Sequence, residues 1–247
     1  MPPSIPKTKA DEIKEIISNI PPNNTLSEFN YVRCIRLLKE IEPFTAQDQI
    51  NMLRGILELY VGNLHKAKEL ALVNYEISND FQVLRNAVFI FQQVMALDWV
   101  VKTMGRMSEI SKKVNIDLKE SLPPAYELSY FLSGNLSLAE DYFKSKEMST
   151  LLEDLRLIQE SLEISDESLK GILQIVHKAV IDNNARYNFL EYSYIDEEFL
   201  LTIFLHNSQD EVSQLNAEVA KQCYQSGLLD ELNKISYLFL PSGSGQI

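Results

Sequence analysis

Few side chains in this 247-residue chain are of the types that do chemistry near neutral pH. There are three histidines, His65, His177 and His206, and two cysteines, Cys34 and Cys223. A metal site needs His, Cys or carboxylate ligands that meet, on a helix at i, i+3 or i+4. No histidine belongs to a set of three such ligands on an evident shared site. His65 follows a Gly-Asn turn and is expected in solvent. His177 borders an apolar helix face, and His206 ends a strand. Cys34 sits among apolar helix neighbours and Cys223 on an apolar stripe, where a thiol serves as a small hydrophobe. The run Asp196-Glu197-Glu198 has donors for a divalent cation, but it reads as a solvated link between two strands. A glycine-rich phosphate loop, a Gly-x-Ser-x-Gly elbow and a His-Glu-x-x-His helix do not occur. The expectation is no catalytic residue, no metal and no cofactor. An enzyme with an unfamiliar site using Asp196, Glu197 or His206 remains as a further alternative.

Charge bears on partners. Asp and Glu number 35 against 23 Lys and Arg, a net −12. From Ser165 onward the chain holds 12 acidic and 5 basic residues. An acidic chain repels phosphate backbones, so direct nucleic-acid binding is not expected. It suits a basic protein partner, or simply solubility. No apolar run approaches the roughly 20 residues of a membrane span. The N-terminal segment has no apolar core of a secretory signal. Two cysteines are too few for a disulfide framework or a four-Cys zinc site, so a reducing cytoplasm is the simplest compartment.

Helices must position most of the chain. Residues 1–9 are Pro-rich and expected to be flexible. Ile13, Ile16, Ile17 and Ile20 share a helix face, and Pro21-Pro22 ends that helix. Thr25 to Glu28 and Thr45 to Asp48 have capping-box spacing before helices reaching Ile41 and Tyr60. Gly62-Asn63 separates the latter from a helix over Leu64–Ile77. Asn79-Asp80 caps a helix to about Ala96, and Asp98 caps one to Lys113. Ser121-Leu-Pro-Pro124 places prolines in a first turn. That helix ends at Gly134-Asn135, another covers Leu136–Glu147, and Thr150 to Glu153 opens one more.

One segment recurs. Gly62-Asn63-Leu64-His65-Lys66-Ala67 matches Gly134-Asn135-Leu136-Ser137-Leu138-Ala139, with a degenerate copy at Ala96-Leu97-Asp98-Trp99-Val100-Val101. Gly and Asn permit the tight turn between two helices, and a small Ala lets the second helix approach the first. The pattern over residues of about 45–150 resembles the tetratricopeptide repeat, a helix–turn–helix unit that stacks into a solenoid. On that resemblance Gly55 takes the small position of a first helix, and Tyr130 and Phe143 the aromatic positions of the last copy. It implies a protein- or peptide-binding groove, faced by Tyr60, Asn86, Gln93 and Phe131. The family's Lys/Asn clamp for a C-terminal carboxylate is absent: Met52 and Ile56, then Asn86 and Ile90, stand there.

The pattern changes after Ser165. Leu169, Ile172, Leu173, Val176 and Val180 mark an amphipathic helix. Tyr187–Tyr194 and Phe199–His206 are rich in strand formers and read as a β-hairpin. Ser208 to Glu211 is a capping box for a helix carrying Val212, Leu215, Val219 and Cys223, closed by Gly227. Lys234–Leu240 alternates and reads as a third strand. The fold class is therefore mostly α. A tetratricopeptide-like region (1–164) precedes a small helix–strand–strand–helix–strand module (165–241) and a flexible tail (242–247).

Aromatic residues on both faces of the hairpin, Tyr192 and Tyr194 among them, point to a protein interface. An open strand edge would also admit a second copy. The leading functional expectation is a non-catalytic adaptor, scaffold or assembly chaperone. An acidic inhibitor of a basic toxin or enzyme is the alternative.

Overall fold

The computed structural model describes residues 8–20, 25–114, 126–142, 150–195 and 197–242. Among these residues there are twelve α-helices, one 3-10 turn and three strands, so the chain is mostly α with a small α+β region. The expectations for Pro21-Pro22, the Ser121–Pro124 turn, Phe143, Asp196 and most of the tail lie outside the described residues. The chain divides into two compact units, Met1–Ile90 and Phe91–Ile247. The division falls within a helix, whereas the change of composition at Ser165 falls inside the second unit.

The first unit contains α1 (Lys9–Ser18), α2 (Glu28–Ile41), a 3-10 turn (Glu42–Phe44), α3 (Gln47–Tyr60), α4 (Leu64–Ile77) and most of α5 (Phe81–Gln93). The isoleucine spacing of α1 does what it predicts. Ile13 is fully buried with Cys34, Leu38, Ile50 and Leu57, and Ile16, Ile17 and Ile20 pack against them. Residues 8 and 9 are not loose: Thr8 and Asp11 form a reciprocal capping box that starts α1. The two expected boxes downstream do not form. Ser27, not Thr25, caps α2, accepting from the Asn30 N–H at 3.3 Å. α3 starts at Ala46 with no side-chain cap. The Asp48 carboxylate instead accepts from the Ser78 hydroxyl at 2.6 Å, and Asn74 Nδ2 donates to the Asp48 carbonyl at 3.1 Å. Those bonds tie the start of α3 to the end of α4. Close approach needs Gly55: a Cβ there would stand 3.0 Å from Ile90 Cδ1 and 3.5 Å from Leu70 Cβ.

The helix pairs share one turn geometry. Gly62 has φ +86°, and its N–H reaches the Leu59 carbonyl while that of Asn63 reaches the Glu58 carbonyl. Gly134 (φ +59°) and Asn135 repeat both bonds to Phe131 and Tyr130. This left-handed cap satisfies two orphan carbonyls at a helix end. In the middle copy it is Met95, not Ala96, that takes positive φ (55°), with the same bonds to Gln92 and Phe91. The repeat register there is therefore one residue earlier than the sequence match: Leu97 equals Leu64 and Leu136, and Val100 equals Ala67 and Ala139. All six are buried. Asn63 and Asn135 are not in the left-handed region. They act through their amides, which bond Glu58 Oε2 and the Ser133 carbonyl.

The second unit adds α6 (Leu97–Val114), α7 (Tyr126–Leu132), α8 (Leu136–Tyr142), α9 (Thr150–Leu162) and α10 (Asp166–Asp182). Then come β1 (Tyr187–Ile195), β2 (Glu198–Leu205), α11 (Gln209–Gln225), α12 (Leu229–Lys234) and β3 (Ile235–Pro241). Helix α5 stops at Gln93, three residues short of expectation, and Asp98 lies inside the first turn of α6 rather than before it. Ser165 caps α10, and Ser208 forms a complete capping box with Glu211 at α11. Helix α12 has no counterpart in the sequence expectation. The strands form one sheet in the order β1-β2-β3, with β1–β2 antiparallel and β2–β3 parallel. A parallel neighbour requires a crossover, which α11 and α12 supply.

Alternation assigns the two sheet faces. Phe199, Leu201, Ile203 and Leu205 of β2, with Ile235, Tyr237 and Phe239 of β3, form the inner face, and all are buried. Phe131 of α7 packs edge-on against Phe199 at 5.1 Å. Cys223 of α11 lies beside Tyr237. Burying each such side chain contributes roughly 1.5–3 kcal/mol.

Candidate functional site

The hairpin forms where the chain loses its helix formers. Ile195 pairs with Glu198 across a two-residue connection in which Glu197 has φ +63°. Short connections of this kind favour positive φ because that twist matches the strands. An irregularity between Tyr187 and Phe189 places one extra residue in β1. It reverses the alternation: Tyr187 pairs with Leu205 on the inner face, and Phe189 pairs with Phe204 on the outer one.

The outer face mixes apolar and polar side chains, and two of its large apolar ones are exposed. Phe189 stacks on Phe204, with ring centroids 4.1 Å apart and planes at 13°. Phe204 is buried by this contact, but Phe189 stays 40% exposed and Leu238 37%. Leu200, Thr202 and Leu240 are half-buried between them. Glu191 and Ser193 of β1 complete this face by register.

The two sheet edges differ. On β3, the Asn216 side chain of α11 bonds both backbone groups of Phe239: its Nδ2 donates to the carbonyl and its Oδ1 accepts from the N–H, each at 2.9 Å. That amide occupies the outward groups of the edge as a neighbouring strand would. On β1, residues flanking a two-residue hairpin turn form a hydrogen-bonded pair, and bonded pairs then alternate. Ile195, Ser193 and Glu191 therefore point their backbone groups at β2. Tyr194, Tyr192 and Leu190 point theirs outward, and among the described residues no strand pairs with that edge.

The aromatic rim belongs to this open edge. Tyr192 stacks on Phe199 at 5.7 Å and 14°, yet remains 41% exposed. Tyr194 is exposed and donates its hydroxyl to Ser161 Oγ of α9 at 2.9 Å. The expectation of surface aromatics on the hairpin therefore has a concrete position. The helical candidates fare differently. Phe131 is fully buried against Phe199 and is core, not groove lining. In the first unit, Tyr60 is half-buried against the apolar core. Asn86 spends its amide on the Gln82 carbonyl and the Met52 sulfur, at 2.8 and 3.2 Å. Gln93 is half-buried at the end of α5.

Exposed Phe189 and Leu238, with half-buried Leu200 and Leu240 on the same face, are not among the residues expected to bind. Alternation counted from Tyr187 misplaces Phe189 without the bulge, and Leu238 gains meaning only once β3 is known to lie beside β2. A second apolar patch, Phe29 and Val32 of α2 between the stems of Arg33 and Arg36, also escapes the sequence reading.

The chemistry-bearing side chains stay apart. His206 follows the end of β2, whereas Glu197 and Glu198 lie at its start, roughly 26 Å away for eight strand residues. His177 Nδ1 stands 2.7 Å from the Val94 carbonyl. Cys34 and Cys223 are buried free thiols. Burial raises both, Cys223 from 9.0 to about 11. Among the described residues no three His, Cys, Asp or Glu side chains gather as a metal site. No described helix is long and apolar enough to cross a membrane. Compared with known proteins, the chain matches no family model, no curated protein and no solved structure.

Proposed function

We propose that this chain is a non-catalytic interaction protein whose sheet docks a protein partner. The observation that carries the reading is the asymmetry of the sheet. One face is packed on helices, while the other presents exposed Phe189 and Leu238 with half-buried Leu200 and Leu240, beside an edge that no described strand pairs. Large apolar side chains clustered at a surface mark interaction sites, whereas scattered ones do not. The helices act as the scaffold that fixes the inner face. The tetratricopeptide-like reading of residues of about 45–150 is part of this proposal, supported by the turn that recurs at Gly62, Met95 and Gly134. Two buried free thiols suit the reducing cytoplasm, where we place the protein.

The test is comparative co-purification of the tagged full chain from its own cells, with mass spectrometry of what elutes. A stoichiometric partner is expected with the wild type and not with the double variant Phe189→Ser/Leu238→Ser. No stoichiometric partner, or one that the double variant retains, would contradict the reading. An acidic inhibitor is a second reading, favoured by the net charge of −12. It requires a partner that is itself basic and whose association slows steeply with added salt.

A further inference from the structure

The edge of β1 carries more information than the apolar face alone. Natural sheets guard their edges with lysine, proline, bulges or a covering element. β3 is guarded by the Asn216 amide on Phe239. β1 has nine residues, and none of them is lysine or proline. Its irregularity lies at the Tyr187 end, leaving Leu190 to Ile195 in continuous register with β2. The outward backbone groups of Leu190, Tyr192 and Tyr194 are thus spaced as a template for another strand.

Charge selects the occupant. Residues 187–205 carry four carboxylates, Glu191, Asp196, Glu197 and Glu198, and no Lys or Arg. Glu191, Glu197 and Glu198 are exposed. Glu191 lies mid-strand on the outer face, next to Phe189 along that face. A second copy pairing β1 with β1 about a two-fold axis would bring two such acidic hairpins together. Like charges across strands oppose that pairing, and opposite charges favour pairing. An extended segment whose one face carries a β-branched residue beside Phe189 and, two residues on, a Lys or Arg beside Glu191 matches all three features. Its backbone would meet the open edge, its apolar side chains would extend the Phe189 face, and its cations would meet Glu191.

We propose that β1 accepts a basic, extended peptide segment of a protein partner as a fourth strand of the sheet. This rests on the interaction reading above and names the partner's chemistry. Strand addition supplies affinity through main-chain bonds and selectivity through alternate side chains.

The experiment uses the full chain and a blocked peptide, matched in length to β1, whose one face alternates valine with lysine and whose other face is threonine. Affinity is read by fluorescence anisotropy, and the contact by backbone amide NMR. The expected result is saturable binding that weakens with salt and moves the amides of Leu190, Tyr192 and Tyr194. Replacing the peptide's central residue by proline removes main-chain bonds and should weaken binding by about tenfold. The glutamate-for-lysine peptide should not bind. Tyr192→Pro should abolish binding, because an outward-facing N–H takes no part in the β1–β2 ladder and proline is tolerated there. Glu191→Lys, which leaves the strand backbone intact, should weaken it in a chain whose circular dichroism is unchanged. Equal affinity for the proline-containing peptide, amide shifts elsewhere, unchanged binding by both variants, or no binding would overturn the inference. Self-association of the free chain that Tyr192→Pro removes would assign the edge to a second copy and also overturn it. If the co-purifying partner is lost with Phe189→Ser/Leu238→Ser but kept with Tyr192→Pro, the sheet reading stands and the fourth-strand inference falls.

Discussion

Gly62 and Gly134 occupy the same place in the same turn, but their surroundings differ. At Gly62 (φ +86°) a Cβ would meet open space. At Gly134 (φ +59°) it would stand 2.5 Å from the Asp166 carbonyl oxygen. Gly62→Ala should therefore cost only the left-handed strain, about 1–2 kcal/mol. Gly134→Ala should cost that plus an overpacking penalty of about 1–3 kcal/mol. Urea midpoints of the two variants check the ordering, and equal losses would contradict it. Cys223 offers a second residue-scale test. Its folded value is about 11 against an ordinary 9.0, because burial disfavours the thiolate. Below pH 9.0 both states hold the thiol neutral; between 9.0 and about 11 only the unfolded chain ionises. Stability should therefore fall as pH rises through that window. The buried Tyr237 phenol, also raised by desolvation, shifts in the same direction. Cys223→Ala should make the denaturant midpoint fall less steeply over this range. The native thiol should resist alkylation at neutral pH until the protein unfolds.

At the scale of elements, Asn216 holds the β3 edge by two bonds to Phe239. Asn216→Ala should destabilise the protein by about 1–3 kcal/mol. It should also promote concentration-dependent association, read by light scattering, because the edge then lacks a cover. A stable variant that stays monodisperse would contradict this role. Elements whose start and stop signals are local were legible in the sequence. Helices α4 and α10, the β1–β2 hairpin and the Ser208 box of α11 lie where spacing puts them, to within a residue or two. Elements settled by distant partners were not. Spacing suggests a capping box at Thr45 to Asp48, but Asp48 is claimed by Ser78, thirty positions on. The middle turn uses Met95, a residue with no turn signature, held in the left-handed region while fully buried. Helix α12 spans six residues, too short for a helical period to show.

For the whole molecule, composition and order fix the class: helices first, then a small sheet, with acidity concentrated toward the C-terminal part. The division into units was not legible in the same way. It falls inside α5, a helix whose own residues give no boundary signal. The candidate surface was legible in part. Tyr192 and Tyr194 stand out as aromatics in a strand, but the outer face depends on a bulge and on a parallel crossover, neither of which leaves a local pattern. An acidic molecule of this kind should draw a basic partner faster at low salt than at high salt. The central claim is that the sheet's open side is where a protein partner docks. The most direct test is photo-crosslinking in the native cells, with a benzophenone amino acid at position 189 or, as control, at position 224. Both positions are exposed, but Tyr224 lies on α11, outside the sheet. The account predicts one dominant protein adduct from position 189 and none from position 224. No adduct at 189, or the same adduct from both positions, would contradict it.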